Sequence, residues 1–291
     1  MTVAMFPGQG TQFKGMGSDF WHTSQDVAER ASKILGYSIT ELCLSDPDNL
    51  LSLTQYTQPA IYVVNALAYY RWRDLGHEAA ALIGHSLGEY SALLAAECFD
   101  FETGLRLVQK RGALMGAAGG GGMAAVINCP ADVLETLLKS NGLNGIDSAN
   151  YNSPTQIVIA GPTDLLQKAS TLLSERRIRC IMLNVSAPFH SRYMRRVQEE
   201  FAEFLHGFRF TDPGIPVISN ATARPYGPGE VASLLVRQIA EPVRWIDTIR
   251  ALMGWGYRDF VEIGGDPSRM GGAVLSKLVE DIRRAERTSV V

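Results

Sequence analysis

Residues 81–90, ALIGHSLGEY, place Ser86 between Gly84 and Gly88 directly after an apolar run. A G-x-S-x-G turn is needed where a strand passes sharply into a helix, because a side chain on either flank would clash and the strain holds the serine oxygen exposed. Loops also use glycine and serine, so the pentapeptide alone leaves Ser86 open as a nucleophile or a turn serine. Its surroundings bear on the choice. Residues 80–83 have the length and apolarity of a buried strand, and EYSALLAAECF from Glu89 onward favours helix. Ser86 therefore falls on the strand-to-helix junction that a nucleophile requires.

Working outward, Val3-Ala4-Met5-Phe6 is a short apolar run stopped by Pro7-Gly8, which suits a buried strand ending in a loop. Residues 58–75 are expected to be helical, with Pro59 at the helix start and Ile61, Val64, Ala68 and Tyr69 on one face. Residues 105–117 read as helix up to the four glycines 119–122, which break regular structure and mark a hinge or boundary. The pattern then changes to strand (123–128), helix (131–140), strand (146–150), strand (156–160), helix (163–175) and strand (178–185). That β-α-β-β-α-β order is the order of a ferredoxin-like unit. Residues 123–185 are accordingly expected to form a small ferredoxin-like subdomain, inserted into a larger one built from 1–122 and 186–291. In 193–206, Met194, Val197, Phe201 and Phe204 recur at helical spacing and read as core packing. Residues 215–219 and 259–263 are expected as short buried strands, separated by helices over 229–240 and 245–253. Alternating strands and helices predict an α/β fold with a mostly parallel sheet covered on both faces.

The bulk properties exclude several classes. A chain of 291 residues, 46% hydrophobic and 20% charged, can bury a substantial core. Its formal charge of −3 offers no field for polyanions, so nucleic-acid binding has no electrostatic support. No apolar run approaches the roughly 18 residues of a membrane span, and MTVAMFPGQG has no secretory pattern. Cys43, Cys98, Cys129 and Cys180 are far apart without a C-x-x-C pair, so they read as reduced thiols of a cytoplasmic protein, with no structural zinc.

A serine hydroxyl at neutral pH needs a neighbouring base. Of the five histidines, His85 adjoins Ser86, but consecutive residues at a tight turn rarely face each other. His22, His77 and His206 lie in or beside charged, exposed segments. His190, in VSAPFHS, follows the last strand of the inserted unit, at the crossover back into the larger one, where clefts form. Arg111 is either a surface arginine beside Lys110 or, in a closed pocket, a fork that grips a carboxylate with two parallel hydrogen bonds.

The motifs FPGQGTQ (6–12), TQPA (57–60), GHSLGEYSAL (84–93), KRGALM (110–115) and APFHS (187–191) occur in the order found in acyl-carrier-protein malonyltransferases. The chain resembles that family over nearly its whole length, most of all the discrete, trans-acting acyltransferases of polyketide synthases of the disorazole synthase type. The malonyltransferase of fatty-acid synthesis is the more general relative. The resemblance implies an α/β-hydrolase-like large subdomain with a ferredoxin-like insertion. It also implies that Ser86 is the acylated nucleophile and His190 the general base, later the acid for the leaving thiol. The backbone N–H groups of Gln9 and Leu87 would form the oxyanion hole, and the main-chain carbonyl of Gln238 would orient the histidine. Gln58 matches a pocket-lining glutamine, and Arg111 would select acyl groups ending in a carboxylate. Phe189 is either core filler or, as the resemblance implies, a wall of the acyl pocket that leaves room for malonyl rather than methylmalonyl.

The cycle so implied is ping-pong, from malonyl-CoA through a serine ester to the phosphopantetheine thiol of an acyl carrier protein, without metal or redox cofactor and without nucleic acid or membrane. Arg192, Arg195 and Arg196, with Arg176, Arg177 and Arg179, could dock an acidic carrier protein or simply be solvated helix faces balanced by Glu199 and Glu200. One departure from the family pattern is GGDPSRMGG (264–272), where relatives often carry Gly-Pro-Gly. The nearest rival is an acyl hydrolase of the same fold, which has no use for Arg111 if its acyl chains are uncharged. A lipase or esterase would need an acidic residue between Ser and His, and a non-catalytic docking module would not need Ser86 and His190 intact.

Overall fold

A computed structural model describes residues 1–264 and 273–288. In chain order the first half contains β1 (Thr2–Phe6), α1 (Gln25–Leu35), α2 (Ile39–Leu44), α3 (Thr54–Asp74), β2 (Ala81–Gly84), α4 (Gly88–Ala95) and α5 (Phe101–Ala117). Then come β3 (Gly122–Ile127), α6 (Ala131–Ser140), β4 (Asp147–Ser153), β5 (Gln156–Gly161), α7 (Thr163–Glu175) and β6 (Arg179–Met182). The chain closes with α8 (Arg195–Leu205), α9 (Val231–Ala240), α10 (Trp245–Gly254), β7 (Asp259–Glu262) and α11 (Val274–Thr288).

Two sheets organise these elements. The first is parallel, in the order β2-β1-β7, with Val3 opposite Ala81 and Phe6 opposite Gly84. Alternation along its strands divides the core. Val3, Met5, Ala81 and Ile83 pack with Trp245, Ile249 and Leu278 from α10 and α11, whereas Ala4, Phe6 and Leu82 face the cluster containing Tyr62, Val63, Tyr90 and Leu93 from α3 and α4. Both faces are thus covered by helices, the arrangement that lets β1 and β2 be apolar throughout.

The second sheet is antiparallel in the order β4-β5-β3-β6, which is the ferredoxin-like order of its four strands. Ala124, Val126, Ile157 and Ile159 pack under Leu134, Leu138, Leu166 and Leu173 of α6 and α7. The alternate residues Met123, Val158 and Ala160 join the larger core instead. Edge strand β4 is also tied to the segment before α10, with Tyr151 N donating to Val243 O at 2.9 Å and Val243 N to Ala149 O at 2.9 Å. The fold is therefore α/β, a parallel α/β-hydrolase-like layer with a ferredoxin-like unit inserted after α5.

Several expected boundaries move. Helix α3 begins at Thr54, so Pro59 is its sixth residue rather than its start. The N–H it lacks would have met the Gln55 carbonyl, one bond that the buried packing of Ala60 to Leu67 outweighs. Helix α5 starts at Phe101, not 105, because Asp100 caps it, its Oδ1 accepting from Thr103 N at 2.7 Å. Residues 215–219 form two isolated bridges, Val217 to Leu82 in parallel and Ile218 to Pro225 in antiparallel sense, instead of a strand, since Pro216 has no N–H to donate. Strand β7 is half-buried with Asp259 exposed, β6 is shorter than expected and partly exposed, and β4 runs on to Ser153 through irregular register. Gly122 belongs to β3 rather than to the preceding break. The departure at 264–272 lies, from 265 on, outside the described residues.

Candidate active site

The turn between β2 and α4 needs both its glycines. A Cβ at Gly84 would sit 1.9 Å from the Gly88 carbonyl carbon, and one at Gly88 would sit 2.0 Å from the Phe6 carbonyl oxygen. Gly8 is under the same constraint from the other side, where a Cβ would meet His85 O at 2.3 Å. Between them Ser86 takes φ of 52°, a left-handed conformation that non-glycine residues rarely adopt and that surrounding contacts must hold. Asn220 supplies two of these, its Oδ1 accepting from Ser86 N at 2.7 Å and its Nδ2 donating to Gly84 O at 2.7 Å. Gln238 supplies a third, its Nε2 donating to Ser86 O at 2.9 Å.

His190 reaches the turn from the crossover after β6. Its Nε2 lies 2.7 Å from Ser86 Oγ, and its Nδ1 lies 2.8 Å from the Gln238 main-chain oxygen. A carbonyl can only accept, so the neutral ring carries its proton on Nδ1 and presents the Nε2 lone pair to the serine hydroxyl. Burial, and then the positive charge of Arg111, hold the imidazole down at about 3, so the ring stays neutral as a proton acceptor. His190 is itself left-handed, with φ of 57°.

Arg111, on α5, is fully buried. Its Nη1 donates to Gln58 Oε1 at 2.8 Å, and its Nη2 donates to Gln238 Oε1 at 2.9 Å and to Ser86 Oγ at 3.1 Å, while the guanidinium lies over the Tyr90 ring. Among the described residues no carboxylate comes within ion-pair distance of it, and its Nε has no hydrogen-bond partner. A buried cation without a paired anion is costly unless an anionic ligand completes it.

A cleft of 250 Å3 opens over Ser86, lined by Gln9, Gln58, Phe189 and His190 from the parallel layer and by Met123 and Val158 from the antiparallel sheet. Phe189 is buried and forms part of its wall. The N–H groups of Gln9 and Leu87 have no acceptor among the described residues. Gly8, immediately before Gln9, lies against the elbow with its Cβ position 3.5 Å from Leu87 N. The Gln9 side chain turns away to Thr54 Oγ1 at 3.0 Å.

The other histidines take no part. His85 faces Asn152 Oδ1 at 2.8 Å rather than Ser86, and burial lowers its basicity. His22, His77 and His206 are exposed.

Sequence reasoning missed a layer behind these residues. Glu89 is fully buried three positions after Ser86 and accepts hydrogen bonds from Gln238 Nε2 (2.6 Å), the Tyr226 hydroxyl and Asn220 N (3.3 Å). Burial pushes its carboxyl up to about 7, against those hydrogen bonds and the Arg111 charge. In the sequence it reads as an ordinary acidic residue in a first helical turn. Asn220 and Tyr226 lie in an irregular segment more than 130 residues from the turn they support, so no local pattern marks them.

The chain matches the acyl transferase domain family over residues 3–282. It is 47% identical to the polyketide biosynthesis malonyl CoA-acyl carrier protein transacylase PksC of Bacillus subtilis, over 98% of each chain. It is 50% identical to the polyketide biosynthesis protein ThaF of Burkholderia thailandensis, over 97% of this chain but only 24% of that larger protein. Among solved structures, the malonyl CoA-acyl carrier protein transacylase of Burkholderia pseudomallei superposes with a TM-score of 0.93 at 47% identity, over 98% of both chains. With the Ser-His pair, the buried arginine and the two-sheet fold in place, this chain belongs to the acyl transferase domain family.

Proposed function

We propose that the protein is a malonyl-CoA:acyl-carrier-protein malonyltransferase, working in trans on a polyketide synthase assembly line. The observation that carries this reading is Arg111, a buried guanidinium without a paired carboxylate, 3.1 Å from Ser86 Oγ. The free carboxylate of malonyl completes it, and an acyl chain without that group leaves it unpaired.

In the first half-reaction His190 Nε2 takes the Ser86 proton as Oγ bonds to the thioester carbonyl carbon. The charge that develops on the carbonyl oxygen is met by the Gln9 and Leu87 N–H groups. The C–S bond then breaks, and the CoA sulfur leaves with the proton from His190. In the second half-reaction the phosphopantetheine thiol of a carrier protein gives its proton to His190 as its sulfur bonds to the ester carbonyl carbon; the C–O bond to Ser86 then breaks, and His190 returns the proton to Oγ. Gln238 O holds His190 in the productive tautomer throughout, and no acidic third member is required. This chemistry calls for no metal or redox cofactor.

The names of PksC and of BaeC from Bacillus velezensis, which is 44% identical over 99% of each chain, support the polyketide assignment. Malonyl CoA-acyl carrier protein transacylases without a polyketide name, such as that of Synechocystis at 39% identity, are also relatives. The acyl-hydrolase reading finds no support among these proteins. All four cysteines are free, as reduced thiols in a cytoplasmic setting would be, and among the described residues no helix is long and apolar enough to cross a membrane. We place the subdomain boundaries at 121/122, one residue earlier than expected because Gly122 pairs within β3, and at 185/186, supported by the separate apolar cluster under α6 and α7. Of the six candidate docking arginines, Arg192 is paired with Asp147, Arg196 with Glu200 and Arg176 with Glu175, which leaves exposed Arg177, Arg179 and Arg195 as the better candidates for an acidic partner.

The test is intact-protein mass spectrometry after brief exposure to malonyl-CoA. The expected result is one malonyl adduct, absent in Ser86→Ala and passed to a carrier protein faster than to water. Loss of the adduct to water alone would overturn the transferase assignment.

A further inference from the structure

Arg111 and Glu89 are buried charges of opposite sign that do not touch; the Gln238 side-chain amide lies between them. Its Oε1 accepts from Arg111 Nη2 at 2.9 Å, and its Nε2 donates to a Glu89 carboxylate oxygen at 2.6 Å. An amide in this position has two orientations, related by a flip, and only one offers Arg111 an acceptor. Glu89 and the Ser86 carbonyl both accept from the NH2 end, and together they turn the amide oxygen toward the guanidinium.

The same carboxylate reaches the nucleophile turn. It accepts from Asn220 N, and the Asn220 side chain holds both Ser86 N and Gly84 O. Tyr226 fixes the carboxylate from behind through its hydroxyl. The separation of the two charges has a further consequence. A direct Glu89–Arg111 ion pair would occupy the guanidinium edge that an acyl carboxylate needs, whereas compensation across one amide offsets the buried charge without placing a carboxylate on the guanidinium.

We infer that Glu89 is a positioning residue for acyl selectivity: through the Gln238 amide it orients Arg111, so that a carboxylate-bearing acyl group is preferred over an uncharged one. The inference rests on the malonyltransferase reading.

The experiment compares Ser86 labelling rates with malonyl-CoA and acetyl-CoA in the full-length protein, with thermal unfolding measured in parallel. Glu89→Gln keeps the shape but leaves one acceptor oxygen for the three donors that the carboxylate holds, so the Gln238 amide is held less firmly. The malonyl-to-acetyl rate ratio is expected to fall about tenfold or more, through the malonyl rate, while acetyl labelling changes little. An unchanged ratio, or equal loss of both rates, overturns the inference and reduces Glu89 to a structural support. Gln238→Met decides the matter if Glu89→Gln does not fold. It removes the amide bridge but keeps the main-chain carbonyl that holds His190, and the same selective loss is expected; a retained ratio refutes the inference. Labelling of Ser86→Ala, or no malonyl labelling of the unmodified protein, would instead refute the underlying malonyltransferase reading.

Discussion

Arg111 Nη2 lies 3.1 Å from Ser86 Oγ, and the same oxygen lies 2.7 Å from His190 Nε2. One hydroxyl thus accepts from the residue proposed to read the acyl group and donates to the residue proposed to activate it. The geometry ties substrate selection to the reacting atom and makes Arg111 the first position to test. Arg111→Met fills much of the same volume without charge. Labelling by malonyl-CoA should fall about 100-fold or more, the scale of losing one partner of a buried charge pair, while acetyl-CoA labelling is kept or gained. A malonyl rate within a few-fold of the unmodified protein would remove Arg111 from acyl recognition.

His190 should remain neutral well below the usual histidine range, because burial and the Arg111 charge hold it at about 3. The folded value lies below the ordinary 6.5 of an unfolded histidine, so the associated stability is fully present above 6.5 and is lost as pH falls through 3. NMR of ring-labelled histidine in the free protein checks this directly. A His190 midpoint near 6.5 would contradict the buried, neutral base.

Glu89 has the opposite sign. Its folded value of about 7 lies above the model-compound 4.5, so between those values the folded chain keeps a proton the unfolded chain has lost. The linked stability is full below 4.5 and lost as pH rises through 7. Glu89→Gln removes this titration. Its unfolding free energy relative to the unmodified protein should therefore rise with pH across that window, by up to about 1.4 kcal/mol per unit. Urea titrations at several pH values measure it, and a flat difference would mean that Glu89 does not titrate there.

Gly84→Ala tests the elbow, since its methyl would lie 1.9 Å from the Gly88 backbone, where no flexible side chain can yield. Loss on the order of 3 kcal/mol or failure to fold is expected in denaturant unfolding. Gly254→Ala, where nothing lies within 4 Å of the added methyl, is the control and should stay near the unmodified stability.

Phe189 bears on acyl size. It is buried in the cleft wall directly before His190. Phe189→Ser opens space for a branched acyl group, and the methylmalonyl-to-malonyl labelling ratio should rise about tenfold, the scale of one methyl in an apolar pocket. An unchanged ratio would mean that another part of the wall sets acyl size.

Legibility from sequence followed the range of the forces involved. The strand–turn–helix around Ser86 was readable because glycine sterics, apolar length and helix propensity all act within ten residues. The six elements of the inserted unit were readable for the same reason, whereas 215–219 reads as strand although Pro216 reduces it to isolated bridges. Among residues at a distance, His190 is singled out by its crossover position once the other histidines are set aside, whereas the role of Gln238 comes only through resemblance.

By itself the sequence determined the α/β architecture, the ferredoxin-like order of the insertion and the few residue types able to do acyl chemistry, since periodicity and turn chemistry are local. Only the tertiary structure decided that Arg111 is buried against Ser86, that Gln238 serves His190 with its backbone and Arg111 with its side chain, and that Glu89 stands behind both. Burial and the pairing of buried charges depend on which distant segments share a dry interior, and that is settled only when the two sheets close over the site.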